Sequence, residues 1–293
     1  MKRFTSEKVV YRFSKDDPPI AHVAPGEIFS AATLDARSGQ IKTVEDIHVY
    51  RRDPERANPV TGPFYVDGVE PGDTLAVEIL DVQVAPSGAG TATGGVLARR
   101  LGKRDCVIFK IQDGSAEYNE RIRIPLRPMV GTIGVAPAGK SIGSFYPGPH
   151  GGNMDLNFVR NGATVYLPVC VQGALLAFGD LHASMGDGEL TGGGIDASGE
   201  VTLRTSFVKG KRRARPWIET PQSWITCSNA PTLEEAIEIA TNDMVDMVSE
   251  TVGIPWEHAY ILIGACADAR IGQAARCGID VTLGLSFPKV ALQ

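Results

Sequence analysis

Long apolar runs are missing from this 293-residue chain. No segment approaches the roughly 20 consecutive apolar residues that a membrane-spanning helix needs. The opening Met1-Lys-Arg-Phe-Thr-Ser-Glu-Lys8 has no apolar stretch of signal-peptide length either. The expectation is a cytoplasmic protein with no membrane partner. Cysteine is scarce: Cys106, Cys170, Cys227, Cys266 and Cys277 are odd in number and scattered, with no C-x-x-C pair. That excludes a disulfide framework and a thiolate zinc site, and leaves them as small buried apolar residues. Positive charge is also short, the formal net charge being −5. Nothing electrostatic therefore favours nucleic acid, and a small neutral ligand fits better. The chain contains no internal repeat and no low-complexity stretch.

The composition that is present, 43% hydrophobic and 22% charged, is that of a globular protein able to bury one large core. From about Ile20 to Thr220, short apolar or alternating runs are punctuated by Gly, Pro, Asn and Asp, the pattern of many strands joined by turns. Leu75, Val77 and Ile79 alternate along Thr74 to Val84 before the register shifts, and Thr164 to Val171 and Ala174 to Leu181 flank a turn at Gly173. The basic run Lys209-Gly-Lys-Arg-Arg-Ala-Arg215 reads as a solvated hairpin, turning at Gly210, between Val201 to Val208 and Trp217 to Cys227.

Beyond it the texture changes. Thr232 and Glu235 form a T-x-x-E capping box. It opens a helix striped by Leu233, Ile237, Ala240, Met244, Met247 and Val248, which should end near Gly253. Ala259 to Ile263 reads as a buried strand, and Cys266 to Cys277 as a second helix stopped by Gly278. The expected fold is mainly β: a single domain over 1–293, with a two-layer β-sandwich core over roughly 1–228 and a C-terminal α/β appendage over roughly 229–293.

Two motifs fail in their context. Gly134-Val-Ala-Pro-Ala-Gly-Lys140-Ser141 matches a phosphate loop, and Gly139-Lys-Ser141-Ile-Gly143 matches a serine-hydrolase elbow. Both need a helix to start at once. The adjoining segment from Ile142 to Gly152 holds two prolines and four glycines, and cannot propagate one.

Two glycine-cushioned clusters carry the chemistry. His150-Gly-Gly-Asn-Met-Asp155 and Gly179-Asp-Leu-His-Ala-Ser-Met-Gly-Asp-Gly-Glu189 gather two His and four carboxylates. If Ala174 to Ala183 is a strand, Asp180 and His182 project from the same face. The apolar run before them half-buries them, where an unpaired carboxylate is costly and a cation offsets that cost. Imidazole nitrogen with carboxylate oxygen suits a zinc-like divalent ion. The oxygen-rich subset Asp155, Asp180, Asp187 and Glu189 suits calcium instead. Asp187 and Glu189 lie on a turn that can return over the strand end, where one can serve as a general base; the alternative is an Asp-Gly turn with exposed carboxylates.

These segments, with Thr61-Gly-Pro63, Pro71-Gly-Asp73-Thr-Leu-Ala-Val-Glu78, Gly131-Thr-Ile-Gly-Val-Ala-Pro137, Pro147-Gly-Pro149 and Tyr166-Leu-Pro-Val169, give a chain that resembles the acetamidase/formamidase family through most of its length. The resemblance implies a β-sandwich core, a homo-oligomer, a divalent metal, and hydrolysis of short carboxamides to carboxylate and ammonia. Two features depart from the family pattern: Met185 stands where members commonly carry Gln, and the basic Lys209 to Arg215 turn does not tie to that pattern.

On this reading His150, Asp155, Asp180 and His182 supply most of the metal shell. Glu189 takes a proton from bound water and passes it to the leaving amine, with Asp187 as the other candidate. Glu78 and Asp35 are further candidates, Glu78 on the catalytic side and Asp35 on the metal side. Tyr146 and Trp217 are candidates for setting pocket depth. The alternatives are a non-catalytic small-ligand-binding β-sandwich with a structural calcium, and hydrolysis through a Cys227 thiol.

Overall fold

Leu75, Val77 and Ile79 are all fully buried on one side of the strand Thr74–Val84, because strand side chains alternate with a period of two. That strand lies inside one of two large sheets in the computed structural model, which describes residues 1–51, 53–275 and 278–292. Among the described residues the first sheet runs Lys2–Phe4, Ile28–Thr33, Gly199–Val208, Thr74–Val84, Thr164–Pro168, Trp217–Glu219, Ser223–Ala230, Val281–Pro288 and Asp268–Ile271. The second is built around Leu176–Ser184, which lies between Ile195–Ala197 and Met129–Gly134 and also pairs with Val60–Val66.

Phe29, Leu75, Val77, Leu167 and Leu203 of the first sheet meet Phe64, Val130, Ile133, Phe178 and Leu181 of the second in one core. The expected mainly-β, two-layer architecture is what the chain forms. Phe64 and Phe178 stack at 5.8 Å between centroids in its middle.

The Thr232 cap forms as expected. Thr232 accepts a hydrogen bond from the Glu235 amide, and the helix Leu233–Val252 ends at Gly253, whose φ of 75° is the left-handed conformation that glycine adopts without strain. Thr226 and Ser228 donate to the carbonyls of Ala240 and Ala236, both at 2.7 Å, pinning the helix to the strand Ser223–Ala230. The last strands extend the first sheet, so residues after 229 are woven into the sandwich.

Three local expectations are corrected. Ala259 to Ile263 lies within a helix, Trp256–Cys266, which buries Ala259 and Ile263 one turn apart; a short apolar run does not distinguish helix from strand by itself. In place of the second helix, Asp268–Ile271 is an edge strand; Arg276 and Cys277, where that helix was to end, lie outside the described residues. The hairpin across Lys209 to Arg215 does not form, because Gly199–Val208 takes Thr74–Val84 and Ile28–Thr33 as neighbours. The basic run is instead a crossover to Trp217–Glu219, anchored where Lys209 meets Glu70 and Asp73. No helix among the described residues is long and apolar enough to cross a membrane, which says nothing of strands.

Truncating Phe178 to Ala should lower the unfolding free energy by about 3–5 kcal/mol, and Thr232→Ala by about 1 kcal/mol. Urea denaturation monitored by circular dichroism measures both.

Candidate active site

The strand Leu176–Ser184 is buried at every position, yet it carries Asp180 and His182. Neither side chain can be left uncompensated there. Asp180 breaks the strand geometry with a φ of 57°, a left-handed conformation that few residues other than glycine adopt. Asp155, on the loop after Gly151–Asn153, does the same at 49°. Such strain persists where the surrounding structure over-determines it, and it gathers at functional sites.

The two distortions bring Asp155, Asp180 and His182 together, with a ligand atom of each within 4.8 Å of the others. All three are at most 2% exposed. Asp180 is held by one oxygen: Asn58 Nδ2 donates to Oδ2 at 2.7 Å, and Thr132 Oγ1 lies 3.2 Å away. Oδ1 has no hydrogen-bond partner among the described residues and sits 3.6 Å from His182 Nε2. Gly131, on the adjacent strand, leaves the space into which the carboxylates turn. A Cβ there would lie 2.6 Å from Asp155 Oδ1 and 3.0 Å from Asp180 Oδ2.

Asp196 sits opposite His182 on the neighbouring strand, with Oδ1 3.2 Å from Nε2. Its other oxygen accepts from Arg37 Nη1, and Arg37 Nη2 donates to Thr91 Oγ1 at 2.8 Å. On the far side of the ring, His182 Nδ1 lies 3.2 Å from Met129 Sδ. Burial pushes the His182 pKa down, against the pull of Asp180, which favours the neutral ring, the form that binds a metal. Asp155, Asp180 and Asp196 are thus gathered about one buried imidazole, with the Arg37 guanidinium on Asp196. The group can hold a divalent cation, and its mixed nitrogen and oxygen donors suit one.

A cavity of about 30 Å³ opens on this group, lined by Arg37, Asn58, Asp180, His182, Asp196 and Glu189. Glu189 reaches it from the glycine-rich loop, in a left-handed conformation with a φ of 43°. The other sequence candidates are placed elsewhere. Asp187 points outward, accepting from Asn157 at 2.8 Å with Arg270 3.9 Å away. Asp35 accepts from the amides of Arg37 and Gly39, shaping the loop that delivers Arg37. Glu78 is on the first sheet, paired with Arg204. Trp217 stacks on Tyr166 at 3.8 Å, also on the first sheet, and neither it nor Tyr146 lines the cavity.

His150 lies outside the trio. Its ring packs edge-on against Phe13 at 4.9 Å, and neither ring nitrogen has a hydrogen-bond partner among the described residues. Burial pushes its pKa down to about 4. The sequence reading missed Arg37, Asn58, Thr132 and Asp196. For Asp196 a signal existed, since it comes after Gly192-Gly-Gly194 as the recognised acids come after their glycines. For Arg37 and Asn58 there was none.

The model of the Acetamidase/Formamidase family matches residues 2–145 and 140–277. An acetamidase of Mycolicibacterium smegmatis is 27% identical over 266 residues, covering 68% of this chain and 66% of that protein. A formamidase of Methylophilus methylotrophus is 25% identical over 258 residues, covering 68% and 63%. The chain spans less than two thirds of the length of these curated relatives. The crystal structure of an acetamidase from Bacillus halodurans superposes with a TM-score of 0.94 at 36% identity, over 99% of this chain and 98% of that one.

Two outcomes are expected. Gly131→Ala should fold but lose at least tenfold in divalent-cation affinity, read by equilibrium dialysis, because its methyl group enters the space of both carboxylates. His150 has a folded-state pKa below its unfolded value, so between about pH 6.5 and 4 the unfolded chain binds the extra proton. Stability present above that window is then lost as the pH falls, by up to about 3 kcal/mol. His150→Leu should flatten that part of the stability–pH curve.

Proposed function

Because this chain belongs to the acetamidase/formamidase family, we propose that it hydrolyses the C–N bond of small carboxamides, giving a carboxylate and ammonia. The observation that carries the reading is the buried trio of Asp155, Asp180 and His182, with a ligand atom of each within 4.8 Å of the others, beside a small cavity. Asp155, Asp180 Oδ1 and His182 Nε2 would hold a divalent metal, and zinc fits these donors best. When bound, such an ion lowers the pKa of attached water and polarises a carbonyl.

The remaining work falls to the chain itself. Asn58 and Thr132 fix one oxygen of Asp180, leaving the other to face the ion site. Arg37 pairs with one oxygen of Asp196 and so fixes that carboxylate beside His182 Nε2, where its other oxygen adds negative charge to the ion site. Glu189 is the group at the cavity positioned to take a proton from water and return it to the leaving nitrogen. The narrowness of the cavity keeps bulk water from the reacting atoms. A homo-oligomer remains part of this proposal.

The calcium reading is weakened by Asp187, which turns away to Asn157, and by the imidazole at the centre of the group. The thiol route is weakened by Cys227, which packs in the sandwich core with its pKa raised by burial.

Glu189→Gln should retain metal while kcat for formamide or acetamide falls by about 10²–10⁴-fold. His182→Ala and Asp180→Ala should lose metal and turnover together. Ammonia release and metal analysis, before and after chelation and zinc return, provide the measurements. Full turnover from metal-free protein would refute the proposal.

A further inference from the structure

Tyr50, Phe145 and Ile279 are the large apolar side chains lining a cavity whose other lining residues are polar or small. The polar groups match the carbonyl and the leaving amine of an amide, so the acyl substituent is left to face the apolar wall. Tyr50 and Phe145 are buried parts of the protein body. Ile279 is different. It is half-buried on the loop between Asp268–Ile271 and Val281–Pro288, just after Gly278 with its φ of 86°.

That loop is fastened to the catalytic segments at two points. The Gly188 amide donates to the carbonyls of Ile271 and Gly272, at 2.9 and 3.0 Å, and the Ala274 amide donates to the Gly188 carbonyl at 2.9 Å. Gly188 precedes Glu189. At the other end Thr282 Oγ1 donates to the Met154 carbonyl at 2.6 Å, next to Asp155. The described residues on either side of Ile279 are therefore tied to the segments that carry the candidate base and a metal-binding carboxylate. The cavity of about 30 Å³ has room for about two water molecules.

We propose that Ile279 is the acyl-length ruler of this site: its side chain restricts substrates to amides of one- or two-carbon acids and rejects longer ones. The proposal rests on the amide-hydrolysis reading above and adds to it the residue that sets the size limit. Because Ile279 belongs to a loop outside the sheet that carries the ligands, its replacement changes room without removing a polar group.

The test uses the zinc-loaded protein and its Ile279→Ala and Ile279→Val variants, with two readouts. One is kcat/KM for formamide, acetamide, propionamide and butyramide. The other is the dissociation constant for formate, acetate, propionate and butyrate, the corresponding carboxylates, by calorimetry. Ile279→Ala should raise the propionamide-to-formamide ratio of kcat/KM by about 10–100-fold. Ile279→Val should fall between, and the carboxylate series should shift in parallel. Ratios unchanged within about twofold in both readouts would overturn the proposal. If no amide is turned over by any of the three proteins while the carboxylate series still shifts, the ruler stands and the amide reading fails.

Discussion

Negative charge held out of water is the constraint on which the rest of this molecule depends. Asp155, Asp180 and Asp196 lie beneath the surface around His182, with Arg37 paired to Asp196. Carboxylates are kept in such a place only when counter-charge and hydrogen bonds return what hydration would have given. Many otherwise odd local features arise from that demand. Two aspartates adopt left-handed backbone, at roughly 1–3 kcal/mol each. A strand residue opposite them has no side chain, and Asn58 and Thr132 serve one oxygen of Asp180 while leaving the other bare. The sandwich supplies the rigidity that keeps these arrangements from relaxing.

Much of this was legible in the residues because it obeys short periods. Two-residue alternation revealed the strand Thr74–Val84, and the same rule put Asp180 and His182 together. The helix after Thr232 announced itself through its cap, its stripe and the glycine that ends it. The glycine-cushioned acids marked Asp155 and Glu189, both of which reach the site.

What escaped the sequence was whatever depends on which strands become neighbours. Asp196 meets His182 only because Ile195–Ala197 pairs beside Leu176–Ser184, and Arg37 arrives from a loop far away in the chain. Asp187 and Glu189 share a turn and are both acidic, yet side-chain hydrogen bonding sends the first toward Asn157 and leaves the second at the cavity. The hairpin expected across Lys209 to Arg215 fell to the same cause, since Thr74–Val84 offers Gly199–Val208 a longer partner. Short apolar stretches such as Ala259 to Ile263 were ambiguous until packing chose for them.

The fastening of the 271–282 loop to Gly188 and Met154 also bears on how the protein is made. Chains are synthesised from the N-terminus, so a ribosome completes the acids and imidazole around Gly131 well before it reaches Ile279. The wall of the cavity is thus made after its floor, and the two meet only once the segment bearing Ile279 has followed.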